Sequence, residues 1–275
     1  MKKLLINIVT YLFTFLRGKR WYSLNNFILF QTLKNLELGN GGDPLTSGEI
    51  EVIKMVKKRI AHPLIIDCGA NRGQYAHLII REFQNTPFRL ICFEPSSETF
   101  KSLQESIEKD KLPVKGIQLE NLALGKTVGK ATLFSDQPIS KYASLQRLDL
   151  GYTGKIMDIE EEIQITTLDQ YMADRSIKKV DFLKLDVEGL EFEVLLGANK
   201  AINEGLIGII QFEFGKTNID TRTFFKDFYN LLSAKYKFYR VHTWGIEALP
   251  EDYLESQEIF YCVNYLAINR TIPFS

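Results

Sequence analysis

A doubly wound α/β fold is predicted for this 275-residue chain, and three observations carry the prediction. Short apolar runs alternate with helical patterns from residue 49 onward. The first run, residues 64–67, ends in Asp67 and passes through a glycine-punctuated turn directly into a helical pattern. A later run, residues 180–185, leads into the charged residues Asp186 and Glu188. Such alternation forces a parallel sheet with right-handed crossovers, and ligands of such sheets bind beyond the carboxyl ends of the strands.

Residues 4–16 are nearly all apolar, broken by Asn7, Thr10 and Thr14 on one helical face. Lys2, Lys3, Arg17, Lys19 and Arg20 give the first twenty residues five bases and no acid, and Trp21 and Tyr22 follow. The 13-residue run is short of the roughly 20 residues that span a bilayer, and no small-x-small cleavage site follows it. Two expectations remain. An amphipathic stripe packs on the domain or on a second subunit, making a homo-oligomer. Alternatively, residues 1–22 make peripheral contact with an anionic membrane surface. Asn40-Gly41-Gly42-Asp43-Pro44 breaks the chain, so residues 1–45 read as a helical extension and residues 46–275 as the main domain.

Thr46 or Ser47 starts a helix over residues 49–59, with Ile50, Ile53 and Val56 at helical spacing. Strand 64–67 leads to helix 73–83, strand 89–93 to helix 97–109, and residues 117–124 supply a third strand. Residues 127–134 read as a short hairpin excursion, 158–162 as a solvated acidic edge, and 162–166 as a strand feeding a short helix near Leu168. Strand 180–185 precedes helix 189–197, and strand 207–214 precedes helix 221–234. Runs 238–241 and 260–268 bring the main strands to seven, joined by a polar, irregular connection over 244–258.

The turn after residues 64–67 indicates the cofactor. A dinucleotide fingerprint needs G-x-G-x-x-G, but Asn71 stands where its second glycine would fall. Gly69 and Gly73 leave a wider turn that suits an adenosyl amino acid, with backbone amides of the helix start facing its carboxylate. Asp67 orders this turn or reaches the cofactor's ammonium through water, and Tyr75 touches the cofactor or packs. Glu94, just past the second strand and held extended by Pro95, is placed to accept hydrogen bonds from ribose hydroxyls.

With these residues identified, the chain resembles the FkbM family of class I S-adenosylmethionine-dependent methyltransferases. The resemblance rests on 67-DCGANRG-73, 93-FEP-95, 121-NLALG-125, 168-LD-169, 181-DFLKLDVEG-189 and 264-NYLA-267, in family order over about residues 64–268. The K-x-D-x-E-G segment is the most diagnostic. The resemblance implies a Rossmann-like sheet with its last strand antiparallel and S-adenosylmethionine as cofactor. It adds Asn121 and Ala123 to the cofactor residues, beside Asp67, Gly69, Asn71, Gly73, Tyr75 and Glu94.

The expected reaction is O-methylation of a hydroxyl on a sugar, glycan or related metabolite, as in polysaccharide biosynthesis. Asp186, at the mouth of the fourth main strand, and Glu188 are the candidate bases or hydroxyl-orienting groups. Lys184 pairs with one of them, and His242 is a further candidate base. The alternatives are a nicotinamide oxidoreductase, disfavoured by Asn71 and by the lack of a Tyr-x-x-x-Lys, and a non-catalytic protein of the same fold. Lys plus Arg equals Asp plus Glu at 34 each, so no basic field points to nucleic acid, and a small-molecule or glycan substrate is expected. No spacing suggests a metal site. Cys68, Cys92 and Cys262 read as reduced packing residues of a cytoplasmic protein. Substrate choice is assigned to residues 137–151, with Tyr142, Ser144 and Arg147, and to residues 243–261, with Trp244 and Tyr253.

Overall fold

The structure, a computed structural model, describes residues 3, 7, 10, 11, 13–39, 43–109 and 116–273. Six of the 13 residues of the helix expected over 4–16, including Leu4, Ile8 and Leu12, lie outside the described residues, as does the break at 40–42. In chain order the elements are α1 (Tyr22–Asn35), α2 (Glu49–Arg59), β1 (Leu64–Cys68), α3 (Gln74–Phe83), β2 (Arg89–Phe93), α4 (Ser97–Lys109), β3 (Ile117–Glu120), β4 (Ala123–Leu124), β5 (Gly129–Ser135), β6 (Ile159–Thr166), α5 (Leu168–Asp174), β7 (Val180–Leu185), α6 (Glu191–Leu196), α7 (Asn199–Asn203), β8 (Ile207–Phe214), α8 (Thr217–Asp220), α9 (Phe225–Leu232), β9 (Tyr236–His242), β10 (Gly245–Ala248) and β11 (Val263–Asn269).

The main sheet has the order β10-β9-β11-β8-β7-β1-β2-β3. β3, β2, β1, β7 and β8 pair in parallel, whereas β11 runs antiparallel to both β8 and β9. This is the Rossmann-like, mostly parallel α/β fold expected, and the chain order reverses between β1 and β7. Each face of the sheet is covered by helices. Val52, Ile53 and Val56 of α2, Ile79 of α3 and Leu103 and Ile107 of α4 pack on one face with Ile65, Leu90 and Phe182. Leu168 of α5, Val194 of α6, Ile202 of α7 and Phe225 and Phe228 of α9 pack on the other with Ile66, Leu183 and Phe212. Strands buried on both sides read as near-continuous apolar runs, which is why they were legible.

The structure departs from the sequence reading in four places. The main sheet has eight strands, because residues 245–248 of the expected irregular connection pair with β9 as a hairpin. The third strand ends at Glu120. There Asn121 turns its amide onto the carbonyls of Glu94 and Pro95, both at 2.9 Å, and the chain leaves to form β4. The excursion over 127–134 is no local hairpin: β5 pairs antiparallel with the distant β6, which begins at Ile159 inside the acidic stretch, and β4 completes a second sheet. Helix 221–234 is shorter and preceded by α8, because Arg222 takes a φ of 56°. α9 then starts where Asp227 accepts the Phe224 amide at 2.8 Å.

Candidate active site

The strand register builds the floor of the site. Asp67 on β1 lies opposite Lys184 on β7, and Lys184 opposite Gln211 on β8, so one polar row crosses three adjacent strands. They share a face of the sheet with Ile65, Phe182 and Ile209, two residues earlier on each strand, which pack under α2 and α3. Lys184 is 3% exposed and Asp67 0%. The ammonium donates to Asp186 Oδ2 at 2.9 Å, stands 3.5 Å from Asp67 Oδ1 and lies 4.7 Å from the centre of the Tyr75 ring. Burial alone would lower the Lys184 pKa; the charges of Asp186, Asp67 and Glu49 outweigh it and raise it. Asp67 is held above the usual carboxylate range by burial, against the pull of Lys184. Its oxygens have no hydrogen-bond partner among the described residues, so it depends on the ion pair alone. Asp67 thus anchors the floor and does not line the cavity.

The turn above β1 is strapped to both neighbouring strands. Gly69 N and Ala70 N donate to Phe93 O at 3.0 and 2.9 Å, and Asp186 N donates to Cys68 O at 3.0 Å. Gly69 has φ +84°, and a Cβ there would stand 1.8 Å from the Asp186 carbonyl oxygen, so only glycine lets the turn meet the end of β7. Gly73, at φ +87°, starts α3 against Leu103. Asn71, at φ 47°, donates its amide to Ser140 O at 2.9 Å and its backbone N–H to Glu94 Oε2 at 3.0 Å. The other Glu94 oxygen accepts from Ser96 N at 3.0 Å. Burial pushes the Glu94 carboxyl up to about 7, against these two backbone donors.

These pieces wall a cavity of about 610 Å³ at the carboxyl ends of the strands. Glu94 lies in it with Asn71, Tyr75 and the apolar Phe93, Leu122, Ala123 and Leu124, a slot with one carboxylate that fits a nucleoside. The other part holds Glu49, Asp186, Glu188, Glu213 and Cys262. Burial and the neighbouring charge of Asp186 raise Glu213 to about 8 and Glu188 well above its ordinary value. Glu49 is raised to about 7 by burial, and its oxygens accept from Ser47 at 2.8 Å and Gln211 at 2.6 Å. Tyr75 donates to Gln211 at 3.3 Å, tying α3 into the same network. Glu191, raised to about 7 by burial, holds the 186–190 turn by accepting the Val187 and Gly189 amides at 2.9 and 3.2 Å.

Asp186, Glu188 and Lys184 therefore converge on the cavity with Gly69, Asn71, Tyr75, Glu94 and Ala123. Gly73 and Asn121 act from behind, as the start of α3 and the clamp on the Glu94 segment. His242 does not line the cavity. Its ring nitrogens face Glu37 at 3.2 Å and Glu247 at 3.1 Å, and Trp244 stacks on it at 4.5 Å, so it fastens the β9–β10 hairpin to the residues after α1. Of the two stretches assigned to substrate choice, residues 139–145 line the cavity, whereas Trp244 and Tyr253 do not. Arg147 is engaged with Glu160 and the Met157 carbonyl. Sequence reasoning gave Glu49 no role because an acid in a helix's first turn ordinarily serves the helix dipole. Lys141 and Lys216, which also line the cavity, carried no signal at all. Among the described residues no group of three or more His, Cys, Asp or Glu side chains is arranged to hold a metal.

Residues 67–241 match the family model for the methyltransferase FkbM domain. The chain is 27% identical over 149 residues to Methyltransferase 1 of Beauveria bassiana, covering 48% of this chain and 57% of that protein. It is 26% identical over 162 residues to Methyltransferase sdnD of Sordaria araneosa, covering 51% of this chain and 62% of that protein. The chain thus spans less than two thirds of the length of either curated relative. Among solved structures, methyltransferase FkbM from Methylobacillus flagellatus KT aligns with a TM-score of 0.48 at 16% identity, covering 76% of this chain and 44% of that one.

Proposed function

The chain belongs to the FkbM family of S-adenosylmethionine-dependent methyltransferases, and on that premise we propose that it methylates a hydroxyl of a sugar, glycan or related polyhydroxylated acceptor. The observation that carries the acceptor class is the carboxylate lining of the recess beside the cofactor slot: Glu49, Asp186, Glu188 and Glu213. Carboxylates accept hydrogen bonds from vicinal hydroxyls. They would hold an amine as its ammonium, whose lone pair is then unavailable for attack. The same recess disfavours phosphate at its depth.

When bound, S-adenosylmethionine supplies a methyl group on a sulfonium whose sulfur departs as a neutral thioether. Glu94 would accept the ribose hydroxyls, and Phe93, Leu122 and Ala123 would take the adenine. The turn at Gly69, whose amides are already engaged with Phe93 and Glu94, would lie against the methionine portion because glycine leaves room for it. Asp186, already bonded to Lys184, would orient the acceptor hydroxyl, and Glu213 or Glu188 in its ionised form would take its proton as the bond forms. The buried Asp67–Lys184 pair fixes Asp186 in place. A methyl-transfer assay over nucleotide-sugars, lipid-linked glycans and small hydroxylated metabolites tests this reading; a product methylated at nitrogen or carbon refutes it.

A further inference from the structure

Helix α1 buries none of its residues. Tyr22 is 66% exposed, Phe27 60%, Leu29 52% and Phe30 58%, and Phe13 and Phe15 before the helix are 51% and 76% exposed. These helix residues do not form one stripe. At about 100° per residue, Phe30 stands roughly 80°, Phe27 roughly 140° and Leu24, also exposed, roughly 200° around the axis from Tyr22. A helix apolar on several sides needs surroundings that cover several sides. A second copy of a folded domain covers one; the acyl region of a lipid leaflet covers all.

Charge identifies the leaflet. Residues 1–36 contain six bases, Lys2, Lys3, Arg17, Lys19, Arg20 and Lys34, and no acid, although the whole chain is balanced at 34 against 34. A cationic, aromatic-rich segment matches anionic head groups over an apolar interior. Arg20 lies over the Trp21 ring at 5.5 Å, an arrangement suited to the interfacial zone. The 14 residues of α1 extend about 21 Å, short of a hydrocarbon core of about 30 Å. Among the described residues no helix is long and apolar enough to cross a membrane, and α1 is suited to lying in one face of a bilayer.

The segment is fixed to the site. Glu37 accepts the Thr243 backbone N–H at 2.9 Å, Arg240 donates to the Leu36 carbonyl, and Gly39 N donates to Cys262 O at 3.1 Å. Gly39 and Cys262 themselves line the cavity. We propose that the segment containing α1 docks on an anionic lipid surface and holds the cavity mouth against it, so that the acceptor is membrane-borne. Only the last clause rests on the hydroxyl-acceptor reading.

The test is co-sedimentation of the full chain with phosphatidylcholine vesicles, with and without phosphatidylglycerol, at low and high salt. Association is expected only with the anionic vesicles, to weaken at least about tenfold at high salt, and to be lost in a Phe27→Ser/Phe30→Ser variant. That variant should bind S-adenosylmethionine like the parent in calorimetry; if it misfolds, Lys19→Glu/Arg20→Glu should show the same loss with cofactor binding kept. No association at low salt overturns docking, as does a dimer that the serine variant dissolves without any vesicle binding. Undiminished transfer to a free hydroxylated acceptor without vesicles overturns the membrane-borne acceptor and leaves O-methylation standing.

Discussion

Replacing Lys184 by methionine tests the floor of the site. The ammonium faces Asp67, Asp186 and Glu49. Asp186 has a side chain 41% exposed and can turn to water, and Glu49 keeps Ser47 and Gln211. Asp67, at 0% exposure, has no other partner among the described residues. Removing one member of a buried pair costs about 3–5 kcal/mol because the other charge is stranded, and here that cost falls on Asp67. It can be relieved by a proton. Asp67 is already raised in the parent, and without the lysine it rises further. A folded-state carboxyl raised above its unfolded value of about 3.9 holds a proton that the unfolded chain releases. The deficit should therefore be small at pH about 4 and grow by up to about 1.4 kcal/mol per pH unit toward neutrality. Urea denaturation of the parent, Lys184→Met and Lys184→Met/Asp67→Asn at about pH 5 and pH 7.5 measures this. The double variant should recover most of the loss at the higher pH. A deficit independent of pH, or no rescue by Asp67→Asn, would refute the assignment.

Four further outcomes are expected. Glu94→Ala should weaken S-adenosylmethionine binding about 10–100-fold in calorimetry, a net loss equal to one charged hydrogen bond of about 1.5–3 kcal/mol; Asp186→Ala should cost less, and an unchanged Glu94→Ala affinity removes the ribose assignment. Glu94 is raised to about 7 in the free protein, and ribose hydroxyls favour its ionised form. Cofactor affinity should thus climb as pH rises from below 7 to above it with proton release, seen in buffers of different ionisation heat, and the Glu94 share should vanish in Glu94→Gln. Gly69→Ala places a Cβ 1.8 Å from the Asp186 oxygen at φ +84°; beyond about 1–2 kcal/mol of backbone strain, the turn must move, and the variant should lose cofactor binding and melt lower. His242→Ala should leave turnover near that of the parent while lowering stability by about 1–2 kcal/mol, and a collapse of kcat with intact folding would return His242 to the chemistry.

The central strands were legible because parallel strands buried on both faces leave near-continuous apolar runs, as in residues 207–210 and 64–66 before their polar ends. The second sheet was hidden for the opposite reason. β6 reads Ile-Glu-Glu-Glu-Ile-Gln-Ile-Thr with its acids mostly exposed, so its first half looks like a solvated edge until β5, more than twenty residues earlier, is seen beside it. β10 was missed because a four-residue edge strand, partly exposed throughout, needs little apolar character.

The site divides along the same line. Residues whose task is set by the backbone nearby, such as Gly69 at the turn and Glu94 after its strand, follow from local spacing. Residues whose task is set by register do not. That Lys184 touches Asp67 across the sheet as well as Asp186 along its own strand follows only from the β1–β7 pairing. Glu49 reaches the recess only because Gly48, at φ +87°, lets the start of α2 press against the His242 carbonyl, where a Cβ would stand 2.2 Å away. That contact also explains why His242 is buried: its backbone supports α2 and its ring holds Glu37 and Glu247. The histidine that spacing offered as a base thus ties the β9–β10 hairpin to the start of α2 and to the residues after α1.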